Sequence, residues 1–354
     1  MTTWYPVRVA SVIEETKLDK SFVLDVPPQL DEAFRWRAGQ HLVVQRTLAG
    51  ERHRRCYSLS APPGRAPRIT IRKIKGGRVS QDLHENVGVG DLLDVSTPCG
   101  AFLLDAEPKA YRTHYFFAAG SGITPILSMI GTVLEREKYS RAHLLYGNRH
   151  LDQILFRAEL EHTLKQYSDR FSLTHTLTSP PWLTSFDGWN GRIDAKATHR
   201  FVEQHPPVAQ NAQYWICGPG SMNQTVRQAL MSIDVPPERI HAENFGSPGK
   251  PSGGLSDVPV QGKRATLDLT LEGRRSQVTI EAGETLLEAM LRSQLPAPHT
   301  CTAGVCGSCL ARLVRGRVHQ KASFALDATD IEEGLVLTCQ AVAMSDEIEL
   351  RYES

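Results

Sequence analysis

Cysteine is scarce in this chain. Seven stand among 354 residues, and three of them, Cys56, Cys99 and Cys217, have no cysteine near them in sequence. Neither sign of charge is in excess: 40 Lys and Arg against 39 Asp and Glu leave a formal net charge of +1. That balance gives no general pull toward nucleic acid or an anionic membrane. The opening MTTWYPVRVASV has no basic segment followed by an apolar one, which argues against export and for a cytoplasmic protein. A reducing compartment in turn disfavours structural disulfides. Internal repeats are absent. One run, Tyr115 to Leu134, goes about 20 residues without a formal charge, the length of a membrane span. Gly120, Gly122 and Pro125 interrupt it, so it reads as a buried strand, a glycine turn and a buried helix, with no membrane span.

What is present suffices for two or three domains of ordinary globular composition, 41% hydrophobic and 22% charged. Residues 1–105 are dense in short β-type runs, such as HLVVQRTL, RITIRKI and DLLDVST, separated by AGE, PPG and KGG. This density predicts a small antiparallel β-barrel. Over 106–246 buried strands (HYFFAAG, AHLLYGN, FSLTHTLT, AQYWICG) alternate with helical stretches (ITPILSMIGTVLERE, DQILFRAELEHTLKQY, MNQTVRQALMSI), which predicts an α/β domain with a parallel sheet. Residues 247–262, rich in Pro, Gly and Ser, read as a flexible linker. Over 263–354, RATLDLTLEG and SQVTIEAG alternate as a hairpin, and ETLLEAMLRSQL follows as an amphipathic helix.

The remaining four cysteines form a set. Cys301, Cys306 and Cys309 give C-x4-C-x2-C, and Cys339 follows at a distance. This is the plant-type [2Fe–2S] spacing, in which a loop wraps three thiolates around a cluster and a fourth arrives from elsewhere. The spacers are small (Ala303, Gly304, Gly307, Ser308), so backbone N–H groups can approach the sulfurs. Zinc prefers paired C-x2-C knuckles, and only one such pair exists here. Cys56 and Cys99 read as small buried fillers.

Two further signatures lie upstream. In RCYS, Tyr57 offers a flat face for a flavin ring, Ser58 a hydroxyl for its N5 edge and Arg55 a charge for its phosphate. Gly76 and Gly77 then allow backbone N–H groups near a pyrophosphate. AAGSGITP, Ala118 to Pro125, is G-x-G-x-T-P at a strand-to-helix turn, and CGPGSM, Cys217 to Met222, again ends a strand and opens a helix. Both are positions where α/β sheets bind nucleotides, with Thr124 placed to face a flavin.

Together these motifs resemble the ferredoxin–NADP reductase superfamily fused to a C-terminal plant-type ferredoxin, and more closely the bacterial oxygenase reductases of the phenylacetyl-CoA epoxidase and ketosteroid 9α-hydroxylase kind. The resemblance covers nearly the whole chain. It implies an FAD-binding β-barrel, an NAD(P)-binding α/β domain and a β-grasp [2Fe–2S] domain. FAD would be held by Arg55, Tyr57, Ser58, Gly77, Val79 and Ser80, with FMN the alternative. NADH or NADPH would lie against Gly120, Gly122, Thr124, Cys217, Gly218 and Pro219. An E-x-F element, here Glu243-Asn244-Phe245, would close the reductase part beside the flavin. Cys301 and Cys306 would bind one iron, Cys309 and Cys339 the other. NADPH-using members often carry Ser-Arg after the third strand of this domain; this chain has Thr178-Ser179-Pro180, leaving Arg149 as the candidate cation and the choice of nucleotide open.

The implied activity is electron transfer from NAD(P)H, as hydride to flavin and then as single electrons through the cluster, to a separate oxygenase, hydroxylase or desaturase. No side chain is needed as an acid or base. A non-oxygenase acceptor such as a hybrid-cluster protein is the alternative within the class, and a redox sensor the alternative outside it. Two E-x-x-H strings, Glu159 to His162 and Glu238 to His241, raise the question of a di-iron site within the chain. No four-helix pattern surrounds them, and the chain lacks H-E-x-x-H and the C-x-H of a Rieske centre. The terminal catalyst is thus expected on another polypeptide.

Overall fold

A computed structural model describes residues 4–100, 102–180, 186–209, 211–244, 262–271, 273–299, 304, 307, 309–321, 326 and 328–352. The stretch read as a linker, 247–262, lies outside them except for Gly262. The chain divides into two compact units. One comprises Pro6–Leu42 and Tyr57–Phe245; the other comprises Met1–Tyr5, Val43–Cys56 and Gly246–Ser354.

The N-terminal strands are β1 (Tyr5–Thr16), β2 (Asp19–Asp25), β3 (His41–Leu48), β4 (Glu51–Ser58), β5 (Arg68–Arg72) and β6 (Leu92–Val95). They form a six-stranded sheet in the order β4-β3-β6-β1-β2-β5, the antiparallel barrel that the run of short β segments predicts. Alternation is visible in β1, where Val7 and Val9 are fully buried between exposed neighbours. A helix absent from the all-β reading of this region, α1 (Arg78–Asn86), follows the KGG turn and buries Val79 and Leu83. Cys56 and Cys99 are half-buried, not the buried fillers expected of them.

Next come β7 (Thr113–Ala119), α2 (Ile123–Arg136), β8 (Arg141–Asn148), α3 (Arg157–Gln166), β9 (Phe171–Leu177), β10 (Trp189–Asn190), α4 (Ala195–Gln204), β11 (Ala212–Gly218), α5 (Gly220–Met231) and β12 (Ile240–Asn244). The strands pair in parallel in the order β10-β9-β8-β7-β11-β12. Successive side chains of β7 serve both faces of the sheet. Phe116 and Ala118 join the core with Ile126, Ile130 and Leu160 from α2 and α3, while Tyr115 and Phe117 join Phe201 and Val226 from α4 and α5. Pro125 sits in the first turn of α2, where its missing N–H breaks no helical bond. Helix α3 starts later than DQILFRAELEHTLKQY suggests, because Ile154 is extended and Phe156 is left-handed at φ 58°. Helix α4 is opened by Asp194, whose carboxylate accepts the Ala197 N–H at 2.8 Å.

The C-terminal elements are β13 (Ala265–Leu271), β14 (Arg274–Ile280), α6 (Leu286–Arg292), β15 (Leu310–Arg315), β16 (Val318–Gln320), α7 (Ala328–Glu332), β17 (Leu335–Leu337), β18 (Ala341–Ala343) and β19 (Glu347–Arg351). The expected hairpin forms, with Ala265 opposite Ile280. A mixed sheet β14-β13-β19-β15-β17 results, with β13 and β19 parallel. Thr285 and Glu288 form a reciprocal capping box that starts α6, and Leu286, Leu287 and Met290 enter the sheet's core. This helix across a mixed sheet is the β-grasp arrangement that the resemblance implies.

Candidate cofactor sites

The order of the parallel sheet reverses its direction of growth between β7 and β11, and ligands of such sheets bind beyond the strand carboxyl ends at that point. Register places Cys217 beside Ala118 of β7 and beside Glu243 of β12. Gly122 lies against the same strand end. A Cβ on it would sit 2.1 Å from the Cys217 carbonyl oxygen and 2.9 Å from the Gly218 nitrogen. The two motifs, separate in sequence, thus pack backbone to backbone across the switch point. Gly120, left-handed at φ 54°, has its carbonyl held by the Tyr146 hydroxyl at 3.1 Å. Thr124 is buried, and its hydroxyl donates to the Ser121 carbonyl at 2.9 Å, closing the turn. Pro219 precedes α5, and no side chain caps the first turn of α2 or α5, so both helix N-termini keep their positive ends for a ligand.

Asn223 ties α5 to β12: its amide donates to the Glu243 carbonyl at 2.8 Å. The Cys217 thiol is fully buried, and burial, reinforced by the Glu243 carboxylate, pushes its pKa well up, so it is a protonated thiol. Arg149 is exposed at the end of β8, and its carbonyl accepts the Ser179 N–H at 2.9 Å, which brings it beside Thr178-Ser179-Pro180. Phe245 lies outside the described residues. An uncapped, glycine-lined strand edge of this kind fits a dinucleotide. Sequence reasoning passed over Tyr146 and also Arg72, whose Nη1 lies 3.6 Å from the position of a Cβ on Gly120. Only their place in YGNR and RITIRKI marked them, and neither string names a partner.

Strand β4 carries Arg55 and Tyr57, both half-buried, and Ser58, which is buried. Arg55 Nη1 donates to the Arg54 carbonyl at 2.7 Å. After β5, Gly76 adopts φ 77° with open space where a side chain would stand. Gly77 precedes α1 without a side-chain cap. The Ser80 hydroxyl closes this turn, accepting the Ile74 N–H at 3.2 Å and donating to the Gly77 carbonyl at 3.1 Å. A Cβ on Gly77 would meet that hydroxyl at 2.6 Å. Val79 is buried behind it. The turn offers a bare helix N-terminus, which fits a flavin diphosphate.

For the cluster, Cys309 precedes β15 and Cys339 follows β17, both buried. Thr338 brings the two segments together, donating its N–H (3.2 Å) and its hydroxyl (3.0 Å) to the Cys309 carbonyl. The Tyr352 hydroxyl donates in turn to Thr338 Oγ1 at 2.9 Å. Burial raises the Tyr352 pKa, and Cys309 and Cys339 both add to the rise. Gly304 and Gly307 are left-handed, at φ 76° and 70°. Cys301 and Cys306 lie outside the described residues. The described pair and the glycine loop fit a thiolate cluster.

The E-x-x-H strings do not make a di-iron site. Glu159 on α3 accepts two bonds from Arg68, at 2.9 and 3.1 Å. His241 lies on β12, bonds Gln213 at 3.0 Å and stacks on Trp215 at 4.2 Å.

Comparison with known proteins matches three domain families: an oxidoreductase FAD-binding domain over residues 7–103, an oxidoreductase NAD-binding domain over 116–228 and a 2Fe-2S iron-sulfur cluster binding domain over 269–344. The chain is 32% identical to a subunit of the 1,2-phenylacetyl-CoA epoxidase of Escherichia coli strain K12, over 100% of this chain and 99% of the relative. It is 31% identical to the 3-ketosteroid-9-alpha-monooxygenase ferredoxin reductase component of Rhodococcus rhodochrous, over 98% of this chain and 96% of the relative. Among solved structures, phthalate dioxygenase reductase shares the fold, with TM-score 0.57 and 23% identity over 99% of this chain and 98% of that one.

Barrel, parallel sheet and cysteine domain in this order define an oxidoreductase that uses FAD, a [2Fe–2S] cluster and NADH or NADPH. The chain belongs to the ferredoxin–NADP reductase superfamily, in the form that carries a C-terminal plant-type [2Fe–2S] ferredoxin. It is a reductase component, an electron-transfer flavoprotein. No helix among the described residues is long and apolar enough to cross a membrane.

Proposed function

We propose that this chain supplies single electrons to a separate oxygenase, hydroxylase or desaturase in the cytoplasm, where NAD(P)H is formed. The observation that carries the reading is the meeting of Gly122 and Cys217 at the switch point, in a chain where Thr338, the neighbour of Cys339, is hydrogen-bonded to the Cys309 carbonyl. Its full-length likeness to two oxygenase components supports the choice of acceptor.

The working division is 1–105 for the flavin, 106–246 for the nucleotide, 247–262 as linker and 263–354 for the cluster. Gly120, Gly122, Thr124, Cys217, Gly218 and Pro219 hold the nicotinamide nucleotide, with Arg149 at its adenosine end. Arg55, Tyr57, Ser58, Gly77, Val79 and Ser80 hold FAD, and Glu243 and Phe245 close the flavin's side of the crevice. Cys301, Cys306, Cys309 and Cys339 ligate the cluster. When bound, the flavin accepts a two-electron hydride and the cluster passes electrons singly, which is the chemistry the chain itself lacks. The protein's own part is geometric. The bare helix starts attract phosphates, the protonated Cys217 presents a neutral wall, and the buried sheet edge keeps water back.

Rapid mixing with NAD(P)H tests this reading. Flavin absorbance should bleach first and cluster absorbance follow within the same turnover, with catalytic reduction of cytochrome c. A redox sensor would show no fast flavin-to-cluster transfer, and that result would sink the proposal. The acceptor is tested by adding a purified oxygenase component encoded beside this gene and measuring NAD(P)H-dependent product.

A further inference from the structure

Strands β2 and β5 pair antiparallel with Asp19 opposite Arg72. Asp19 is only 1% exposed, and a carboxylate so buried is costly unless paired. Arg72 pairs it side-on, Nε donating to Oδ1 at 2.8 Å and Nη2 to Oδ2 at 3.0 Å. Thr16 Oγ1 donates to Oδ2 at 2.5 Å, which fixes the carboxylate itself. A two-point fork sets the plane of a guanidinium as well as its place. It also leaves the third nitrogen, Nη1, without a protein partner among the described residues.

Nη1 points where the crevice is. It stands 3.6 Å from where a Cβ on Gly120 would be, an ordinary van der Waals distance. Gly120 has no side chain to cover it, and its carbonyl is already held by Tyr146. A guanidinium nitrogen from the barrel therefore faces the glycine turn at the switch point, close to the uncapped start of α2.

We propose that Asp19 is a positioning residue for the nicotinamide dinucleotide: it holds Arg72 so that Nη1 meets a phosphate of the dinucleotide over the Gly120 turn. This rests on the reading of the Gly120–Cys217 crevice as the NAD(P)H site. Asp19 itself touches no ligand. Its work is done through the plane of Arg72.

The test is steady-state reduction of ferricyanide by the holoenzyme with NADH and with NADPH. Asp19→Asn should raise the nucleotide KM about tenfold, the loss of one charge-assisted phosphate contact, with kcat within about twofold and FAD content unchanged. Arg72→Met should do the same, and the double variant should add nothing further. Asp19→Glu, which keeps the charge, should recover most of the affinity. An unchanged KM, additive losses, or loss of FAD in place of nucleotide affinity would overturn the inference. Should Asp19→Asn fail to fold, Thr16→Val, which frees the Asp19 carboxylate while keeping both charges, carries the test: a smaller rise in the nucleotide KM at unchanged FAD content is expected, and an unchanged KM overturns the inference. Ser221→Trp, on the exposed first turn of α5, separates the two readings. If it leaves the KM unchanged, the crevice reading fails. If it raises the KM while the Asp19 variants do not, the Asp19 inference alone fails.

Discussion

Gly122 and Cys217 meet with no room between them: a Cβ on Gly122 would lie 2.1 Å from the Cys217 carbonyl oxygen and 2.5 Å from its carbonyl carbon. Both neighbours are backbone, so they cannot swing aside as a flexible side chain does. Gly122 has φ −61°, which any residue adopts, so space alone demands glycine here. Gly122→Ala must push β11 away from the turn after β7. We expect a cost of about 1–3 kcal/mol in stability, the range of overpacking. Flavin bleaching by NAD(P)H should slow at least about tenfold, since misplacement on the ångström scale is enough for such a loss. Dithionite, which needs no crevice, should reduce the flavin as in the wild type. Equal NAD(P)H rates in the two proteins would show that the crevice is not the nucleotide site.

The three-part texture of the chain was legible because each part has its own local period: alternation in the barrel and hairpin, strand and helix by turns in the middle. The cysteine spacing was legible because one loop carries most of the set. Helix α1 was not, since it follows a turn in a region otherwise made of strands and opens without a side-chain cap. Helix α4 had a readable start in Asp194, which was overlooked. The delayed start of α3 was out of reach. Phe156 is held at φ 58° and 2% exposure in a core with the guanidinium of Arg68 4.9 Å from its ring, and Arg68 is remote in sequence. The same holds for the candidate site. Motifs name Gly122 and Cys217, but only strand order puts them together, and nothing local couples Asp19 to Arg72.

Cys309→Ser or Cys339→Ser should remove the visible absorbance and the reduced-state EPR signal of the cluster. Reduction of ferricyanide, which takes electrons at the flavin, should persist, while cytochrome c reduction falls to the flavin background. Thr338→Val removes a buried hydroxyl that joins Tyr352 to the Cys309 carbonyl, and leaves the Thr338 N–H bond in place. A loss of about 1–3 kcal/mol is expected from the orphaned partners. It should appear as faster cluster loss on warming, followed by absorbance. Cytochrome c reduction that survives either cysteine variant would refute the one-electron exit through this cluster.

Glu159 is bound to Arg68 and no metal role is left for it. The pair is partly exposed, with 41% of the Glu159 side chain open to solvent, so Glu159→Gln should cost no more than about 1 kcal/mol. Glu159→Gln with His162→Ala should leave iron at two atoms per flavin, the content of one [2Fe–2S] cluster. Loss of iron by elemental analysis, with flavin retained, would reopen the di-iron reading.

His143 on β8 sets an acid limit to stability. Its Nδ1 bonds Ser172 Oγ at 2.7 Å, its ring stacks on His205 with 4.5 Å between centroids, and its buried Nε2 has no partner among the described residues. Burial first, then the neighbouring His205 and Arg141, lower its pKa from 6.5 to about 3. The unfolded chain therefore binds this proton at a pH where the folded chain does not. Stability is complete above about 6.5 and declines as pH falls, by about 1.4 kcal/mol per pH unit for this group, until pH 3 is reached. His175, lowered to about 4 mainly by burial, acts with the same sign. Glu137 does not enter above its ordinary value of 4.5. Burial works to raise its pKa, but the hydrogen bonds and charge of His114 and Arg112 bring it to about 2, so its contribution is lost only in stronger acid. Between pH 7 and 5 the histidines thus dominate the slope. His143→Phe keeps a planar ring against His205 and removes the proton site, so its Tm should be lower at pH 7 for want of the Ser172 bond yet fall less steeply on acidification. Parallel Tm curves for the two proteins over that window would show that His143 does not couple folding to pH.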